Sequence, residues 1–140
     1  MRDNGATSNR LVELGDDQII ISRADLAGRI VYVNADFVEI SGYCEAELIG
    51  QPHNIIRHPE MPGVAFADLW ADISSGRPWV GIIKNRCKNG DAYWVEAHVS
   101  PIREKGAITG YLSIRRKPGK EQIAQAEATY AAIRERQVKQ

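Results

Sequence analysis

The most informative segment for the fold is residues 79–116, WVGIIKNRCKNGDAYWVEAHVSPIREKGAITGYLSIRR. It contains three apolar, β-branched runs at 79–87, 92–102 and 108–116, separated by KNGD and REKG, whose glycines favour tight turns. In the middle run two sets of residues alternate, Tyr93, Val95, Ala97 and Val99 with Trp94, Glu96, His98 and Ser100. This pattern predicts three antiparallel strands with one buried and one more polar face.

A shorter pair of strands is predicted nearer the N-terminus. Residues 18–23 and 29–34 are rich in β-branched side chains, and the intervening segment DLAG at 25–28 favours a turn. The two runs therefore predict a β-hairpin, which together with the three later runs makes five antiparallel strands.

Helical segments are predicted between the two groups of strands and after the last strand. Short helices are expected at 35–42 and 45–48, each ended by a glycine, and a longer amphipathic helix at 63–75. Residues 52–62 contain three prolines and are expected to form a shaped loop. After the last strand, residues 121–138 are rich in alanine, glutamate and arginine and predict a terminal amphipathic helix.

This order of elements predicts an α+β fold, with a five-stranded antiparallel sheet, short helices on one face and a C-terminal amphipathic helix. A pocket of the size of a small molecule is expected between the sheet and the helices. We divide the chain into an N-terminal tail or cap (1–16), a central domain (17–118) and an exit helix (119–140).

Composition limits the classes of partner and compartment. The 140 residues carry 18 basic and 18 acidic side chains, so no positive excess attracts nucleic acid or anionic lipid. No apolar segment has the length of a membrane span and no signal peptide is recognisable, which predicts a cytoplasmic location without membrane insertion. Cys44 and Cys87 fit no disulfide framework and are interpreted as structural thiols.

Known catalytic and metal-binding motifs were not found in the sequence. It contains no GxSxG, HExxH, P-loop or GxGxxG pattern, and its three histidines lack metal-ligand spacing. We therefore predict no catalytic residue, no metal site and no enzymatic activity.

Two groups of residues are candidates for ligand contact. In the proline-framed loop, Arg57 offers a planar fork of donors and His58 a titratable one, although Arg57 could instead pair with Glu60 at the surface. The other candidates are aromatic side chains, Phe66, Trp70, Trp79, Tyr93 and Trp94. They could form the walls around a flat ring, although core packing also explains them.

Two basic runs, at 84–88 and 115–117, are interpreted as solvated strand edges in preference to a nucleic-acid contact. Within the first run, Asn85 could direct its amide into the pocket, where it would present a donor and an acceptor together. Its alternative role is in the turn that contains Asn89 and Gly90.

Taken together, the motifs resemble a known family. The chain carries NADF at 34–37, SGY at 41–43, ELIG at 47–50, PHNIIRHPEMP at 52–62, AFADLW at 65–70, the stretch from 76 to 102 and GYLSIR at 110–115. Over residues 17–118 this pattern resembles the PAS domain of bacterial aerotaxis transducers. NxxFxxxSGY with ELxG is shared by many PAS domains, whereas RHPxMP with PWxGxxKNRxKNGDxYWV resembles the narrower FAD-binding, redox-sensing branch.

The resemblance implies a bound FAD and a set of residues that contact it. These are Asn34, Arg57, His58, Glu60, Phe66, Trp79 and Asn85, to which we add Trp70 as a further wall of the pocket. Position 60 is glutamate here and usually aspartate in the family, which moves the carboxylate by one methylene. The NCRFL cysteine motif of flavin photosensors of this fold is absent.

The same resemblance implies a role in signalling. We expect the redox state of the flavin to alter its hydrogen bonds with Asn34 and Asn85 and, through a strand or helix, a chemotaxis or other signal-transduction output. That partner would be a signalling or HAMP-type domain of a longer receptor at the cytoplasmic side of the inner membrane, or another protein. The exit helix could pack on its own domain or join a second copy in a homodimer.

Other interpretations remain open. They are a haem- or small-ligand-binding PAS sensor, a PAS module that dimerises without a cofactor, and, last, a flavoenzyme.

Overall fold

The computed structural model describes residues 7, 8 and 10–139 of the chain. The remaining parts of the predicted N-terminal tail and the last residue of the predicted exit helix lie outside the described residues. The strands are β1 (Ile20–Ala24), β2 (Ile30–Val33), β3 (Trp79–Arg86), β4 (Ala92–Glu104) and β5 (Ala107–Arg116). The helices are α1 (Ala35–Ser41), α2 (Glu45–Leu48), α3 (Gly63–Ser74) and α4 (Lys120–Lys139), with a 3-10 turn at His53–Ile56.

The strands form one antiparallel sheet in the order β2-β1-β5-β4-β3. The predicted hairpin and the predicted three-stranded meander are both present, and they join where β1 pairs with β5, from Ile20 opposite Arg115 to Ala24 opposite Tyr111. This confirms the predicted fold class. The joining of the two groups also makes β1 and β5 interior strands of the sheet.

Strand β4 is longer than predicted. It continues past Ile102 to Glu104, because an irregularity in the register between Ile102 and Arg103 lets the pairing with β5 run up to the turn. The turn itself places Lys105 and Gly106 at φ values of 53° and 85°. Such values are met at the tight hairpin turns that join antiparallel strands.

The predicted alternation in β4 is present, with one exception. Tyr93, Val95, Ala97 and Val99 are buried in the core, as expected. Trp94 belongs to the opposite set and is nevertheless only 6% exposed. It lies in a cleft with residues of α4, so the exit helix shields this part of the otherwise more polar face.

The segment before β1 includes residues that pack on the domain. The backbone N–H of Val12 donates to the carbonyl of Ala92, and the N–H of Ala92 donates to the carbonyl of Arg10. Leu14 is 2% exposed and belongs to the main hydrophobic core. The described part of this segment therefore packs on the domain.

Helix α4 packs back on its own domain. The Tyr130 hydroxyl donates a 2.5 Å hydrogen bond to the carbonyl of Ile82 in β3, and Arg134 Nη1 donates a 2.7 Å bond to the carbonyl of Glu60. The exit helix could pack on its own domain or join a second copy, and in the structure it packs on its own domain. None of the helices described is both long enough and apolar enough to cross a membrane.

Candidate functional site

A cavity of about 370 Å³ lies between the sheet and the helical side of the domain. Its floor is the buried face of the sheet, with contributions from Ile83, Asn85, Ala97, Ser113 and Arg115. Its cover consists of the β1–β2 turn, the 3-10 turn and α3, through a second set of residues, Ala27, Gly28, His53, Asn54, Arg57, Phe66 and Trp70. The volume and the mixture of apolar walls with a few polar groups are typical of a small-molecule site.

Four of the residues predicted from the sequence line this cavity, namely Arg57, Phe66, Trp70 and Asn85. The guanidinium of Arg57 lies over the ring of Phe66, with 4.2 Å between Cζ and the ring centroid. Arg57 also forms an isolated antiparallel bridge with Asn85. The alternative surface pair between Arg57 and Glu60 is not formed.

Asn85 lies within β3, opposite Tyr93 of β4, and is 4% exposed. The alternative role in the turn is therefore wrong, since the turn starts after the strand has ended at Arg86. On an antiparallel strand, neighbouring residues face opposite sides. Asn85 lines the cavity, whereas Lys84 contacts the carboxylate of Glu60 outside it.

Asn34 is not among the residues that line the cavity, and its side chain has a structural role. Its Oδ1 accepts hydrogen bonds from the N–H groups of Ile21 and Phe37, at 3.0 and 3.1 Å, and its Nδ2 donates to the carbonyl of Ile19 at 2.8 Å. It therefore caps α1 and ties that helix to the first strand.

His58 and Glu60 also lie outside the cavity lining. His58 is 4% exposed, and its Nδ1 accepts a hydrogen bond from the N–H of Glu60. Burial, together with the positive charge of Lys84, lowers the pKa of His58. Glu60 forms a 2.7 Å ion pair with Lys84, and this bond lowers the pKa of Glu60. The two residues thus connect the proline-framed loop to the outer side of β3.

Trp79 packs between the two hydrophobic clusters of the domain and is not part of the cavity lining. Its ring occupies the space beside Gly81, where any side chain would collide with it. Trp79 therefore has a packing role, which is the alternative to a wall of the pocket.

Arg115 lines the cavity, although the sequence of the basic run at 115–117 predicts a solvated strand edge. For Arg115 that interpretation is wrong, because β5 is an interior strand and Arg115 is only 3% exposed. In the run at 84–88 the interpretation as a solvated edge is wrong for Arg86, which is 8% exposed, and right for Lys88, which lies at the surface. Alternation along Tyr111, Ser113 and Arg115 is the signal that could have placed Arg115 on the buried face.

The guanidinium of Arg115 has an unusual environment for a charged group. Its Nη2 donates a 2.6 Å hydrogen bond to Ser22 Oγ, and its Cζ lies 5.0 Å from the centroid of Phe37. Its Nη1 is buried without a hydrogen-bond partner, and no acidic side chain in the described ranges forms an ion pair with it. Burial lowers the pKa of Arg115 to about 10, so it stays protonated at neutral pH.

His53 completes this polar end of the cavity and was not predicted as a site residue. Its Nε2 lies 3.5 Å from Ser22 Oγ, so the hydroxyl of Ser22 is close to both His53 and Arg115. Burial and the charge of Arg115 lower the pKa of His53 to about 3. A neutral imidazole therefore stands beside a positive guanidinium, and the cavity keeps a net positive charge.

The site is suited to binding a planar ligand with an electron-rich or negatively charged edge. Phe66, Ile83 and Ala97 supply apolar walls, whereas Arg115 and Asn85 supply polar groups on the floor. Within the part of the chain that the structure describes, no group of three or more histidine, cysteine, aspartate or glutamate residues is placed to hold a metal ion.

Comparison with known proteins agrees with the predicted resemblance. A profile described as the PAS fold matches residues 30–115. The chain is 50% identical over 120 residues to the aerotaxis receptor of Escherichia coli (strain K12), covering 86% of this chain and 24% of the receptor. It is 26% identical over 99 residues to the nitrogen fixation regulatory protein of Klebsiella pneumoniae, covering 70% of this chain and 20% of that protein. The chain therefore spans about a quarter or less of these relatives.

Solved structures support the same fold. A Light-Oxygen-Voltage domain, studied with a flavin analogue, aligns with a TM-score of 0.70 at 21% identity, over 84% of this chain and 89% of that one. The PAS domain of a protein from Colwellia psychrerythraea aligns with a TM-score of 0.66 at 28% identity, over 73% and 87% of the two chains.

Proposed function

Because the chain belongs to the family of PAS domains, we propose that it is a sensor domain that binds FAD in the cavity and reports the redox state of the flavin to a signalling partner. Relatives of this domain occur in signalling proteins, including the aerotaxis receptor of Escherichia coli. The proposed role is therefore that of a sensor and not of a catalyst.

The observation that carries the proposal is the buried guanidinium of Arg115. A charged group in the protein interior normally has a counter-charge, because burial without one costs several kcal/mol. Arg115 has none among the residues described here, and its Nη1 has no partner. The pyrimidine edge of a flavin carries carbonyl oxygens and gains negative charge on reduction, so it would supply the interaction that Arg115 lacks.

Other residues of the cavity fit the same ligand. The amide of Asn85 has one acceptor and two donor positions, as the imide and carbonyl groups of a flavin ring require. Phe66, Ile83 and Ala97 would pack against the faces of the ring. Arg57 completes the set as a donor for carbonyl or phosphate oxygens.

When bound, FAD supplies one- and two-electron redox chemistry. The fixed positive charge of Arg115 attracts a ring with more negative charge, whereas the low pKa of His53 keeps its imidazole neutral. The residues of the cavity would therefore bind the reduced flavin more tightly than the oxidised flavin, which favours reduction.

A route for output leads from the cavity to α4 through β3 and the proline-framed loop. Asn85 contacts the cavity, and the neighbouring Lys84 holds Glu60 on the other side of the strand. Tyr130 and Arg134 of α4 bind the carbonyls of Ile82 and Glu60. We propose that movement of this strand or loop changes the docking of the exit helix (119–140) on the sensor domain (17–118).

The partner in this proposal is a signalling or HAMP-type domain of a longer receptor on the cytoplasmic side of the inner membrane. Support comes from the Escherichia coli aerotaxis receptor, of which a segment like this one makes up 24%. A further proposed partner is a second copy of the domain in a homodimer. The docking of α4 on its own domain is compatible with such a dimer.

The absorption spectrum of the purified protein tests the cofactor directly. We expect the two-band spectrum of a yellow flavoprotein, and release by denaturation followed by chromatography should identify FAD and not FMN. An intense Soret band would indicate haem, and colourless protein that takes up no added flavin would indicate a cofactor-free module. Either result would overturn the proposal.

A binding measurement tests the signalling part separately. The affinity of the protein for its signalling domain, measured with oxidised and with reduced protein, should differ. Equal affinity in the two states would leave flavin binding intact and remove the sensing role.

A further inference from the structure

The cavity is small for a whole dinucleotide. Its volume of about 370 Å³ is at the lower end of the range for small-molecule pockets, roughly 300–1,000 Å³. A tricyclic ring with part of its side chain fits such a volume. Under the proposed function, the adenosine end of FAD must therefore extend through the mouth of the cavity and lie on the surface.

The mouth is identified by cavity-lining residues that also reach solvent. Ala27, Pro52, Asn54, Ala67 and Trp70 line the cavity and are exposed, in contrast with the buried residues of its floor. The opening thus lies between the β1–β2 turn, the 3-10 turn and α3. A ligand that leaves the cavity here must pass the side chain of Trp70.

Trp70 is unusual in being a large aromatic side chain that is 39% exposed at the mouth. It meets the ring of Tyr111 edge-on, at 5.4 Å between centroids and 87° between planes. On another side it approaches the backbone of Gly28, where an added Cβ would lie 2.9 Å from its ring. The indole is therefore held in place by its neighbours while much of its surface stays open to solvent.

Arg57 lies on the same side of the cavity as Trp70. Its guanidinium packs on Phe66, and Phe66 precedes Trp70 by four residues on α3, about 6 Å along the helix axis. No acidic side chain forms an ion pair with Arg57 in the described ranges, which leaves its fork of donors available for phosphate oxygens. The guanidinium of Arg57 thus lies over a residue that is one helical turn from the exposed ring of Trp70.

From this arrangement we infer that Trp70 is the stacking platform for the adenine of the bound dinucleotide, with Arg57 receiving the pyrophosphate between the two ends. This inference rests on the proposed function and assigns to Trp70 a role different from that of a wall for the flavin ring. It also explains why the site would prefer FAD to FMN, which has no adenine.

The experiment titrates FAD, FMN and riboflavin into flavin-free protein and compares Trp70→Ala and Trp70→Phe with wild type. Stacking of a base on an aromatic side chain contributes enough free energy for at least a fivefold change in affinity. We expect Trp70→Ala to weaken FAD binding about tenfold and to leave FMN and riboflavin within about twofold. Trp70→Phe should retain most of the FAD affinity. Val80→Ala, an exposed apolar position on β3 outside the cavity lining, is the control.

The outcomes separate this inference from the proposed function. Equal weakening of FAD, FMN and riboflavin by Trp70→Ala would place Trp70 against the flavin ring, and unchanged FAD affinity would remove it from the site. Either result overturns the inference while flavin binding stands. If wild-type protein binds none of the three ligands, both the proposed function and the inference fail.

Discussion

Arg115 of β5 and Ser22 of β1 meet across two neighbouring strands, where Arg115 Nη2 donates a 2.6 Å hydrogen bond to Ser22 Oγ. They are diagonal neighbours on the buried face, because Ser22 pairs with Ser113 and Arg115 pairs with Ile20. This contact satisfies one nitrogen of a buried cation and leaves Nη1 without a partner beside the cavity. The polar end of the site therefore depends on the register of β1 against β5.

Replacing Arg115 by methionine should affect stability and ligand binding in opposite directions. A buried charge without a counter-charge is costly, so Arg115→Met is expected to leave the flavin-free protein as stable as wild type or more stable in urea unfolding. Flavin affinity should fall by about tenfold or more, because a charge-assisted hydrogen bond is lost. Arg116→Met, one residue along and exposed, should change neither property. Flavin affinity equal to that of wild type would separate Arg115 from the ligand.

His53 should make the flavin-free protein less stable on acidification. Its pKa is lowered from 6.5 to about 3, so between these values the unfolded chain binds a proton that the folded protein does not. Stability therefore falls as pH decreases, by at most about 1.4 kcal/mol per pH unit for this one group. Urea unfolding from pH 6.5 to 5 should show a smaller slope in His53→Gln than in wild type. The His58 contribution, which has the same direction, remains in both proteins. Parallel slopes would contradict a lowered pKa of His53 in the folded protein.

Removing the two side-chain hydrogen bonds that dock α4 should loosen this helix. Tyr130→Phe and Arg134→Ala each remove a bond to a backbone carbonyl, and each should cost about 1 kcal/mol. Hydrogen exchange along 120–136 should accelerate in both variants, with little change in the central strands. Arg136→Ala, on an exposed position of the same helix, is the matched control. Exchange as slow as in wild type would show that other contacts hold the helix.

Gly28→Ala should destabilise the domain more than Gly106→Ala. Both glycines have φ of 85°, a value that costs an alanine about 1 kcal/mol or more. At Gly106 an added Cβ has no neighbour within 4 Å, whereas at Gly28 it lies 2.9 Å from the ring of Trp70. The difference in free energy of unfolding between the two variants therefore measures crowding against Trp70. Equal losses would show that the indole moves freely at the cavity mouth.

Local patterns were sufficient for most of the elements. Alternation along β4 and the glycines after Asn89 and Lys105 predicted the meander, because strand periodicity and turn preferences act over a few residues. The spacing of Phe66 and Trp70 likewise predicted one face of α3. Resemblance of motifs, and not periodicity, supplied the family and the expected cofactor.

The residues that line the cavity were predicted less completely than the helices and strands. Arg57, Phe66, Trp70 and Asn85 meet at the cavity, whereas Asn34 caps a helix instead. A motif contains residues that maintain the loop as well as residues that contact a ligand, and sequence spacing does not distinguish them. For the same reason the sequence did not identify His53 as a residue of the cavity, although it lies four residues before Arg57.

The strands, the helices and the family could be read from the sequence alone, because they depend on local side-chain patterns and on motifs. The burial of the Arg115 cation, in contrast, became visible in the three-dimensional fold. Its partner Ser22 lies 93 residues away in the chain, and the pairing of β1 with β5 makes the end of β5 an interior position. A basic run at a strand end looks the same in sequence at a sheet edge or beside a cavity, since burial depends on which strands become neighbours.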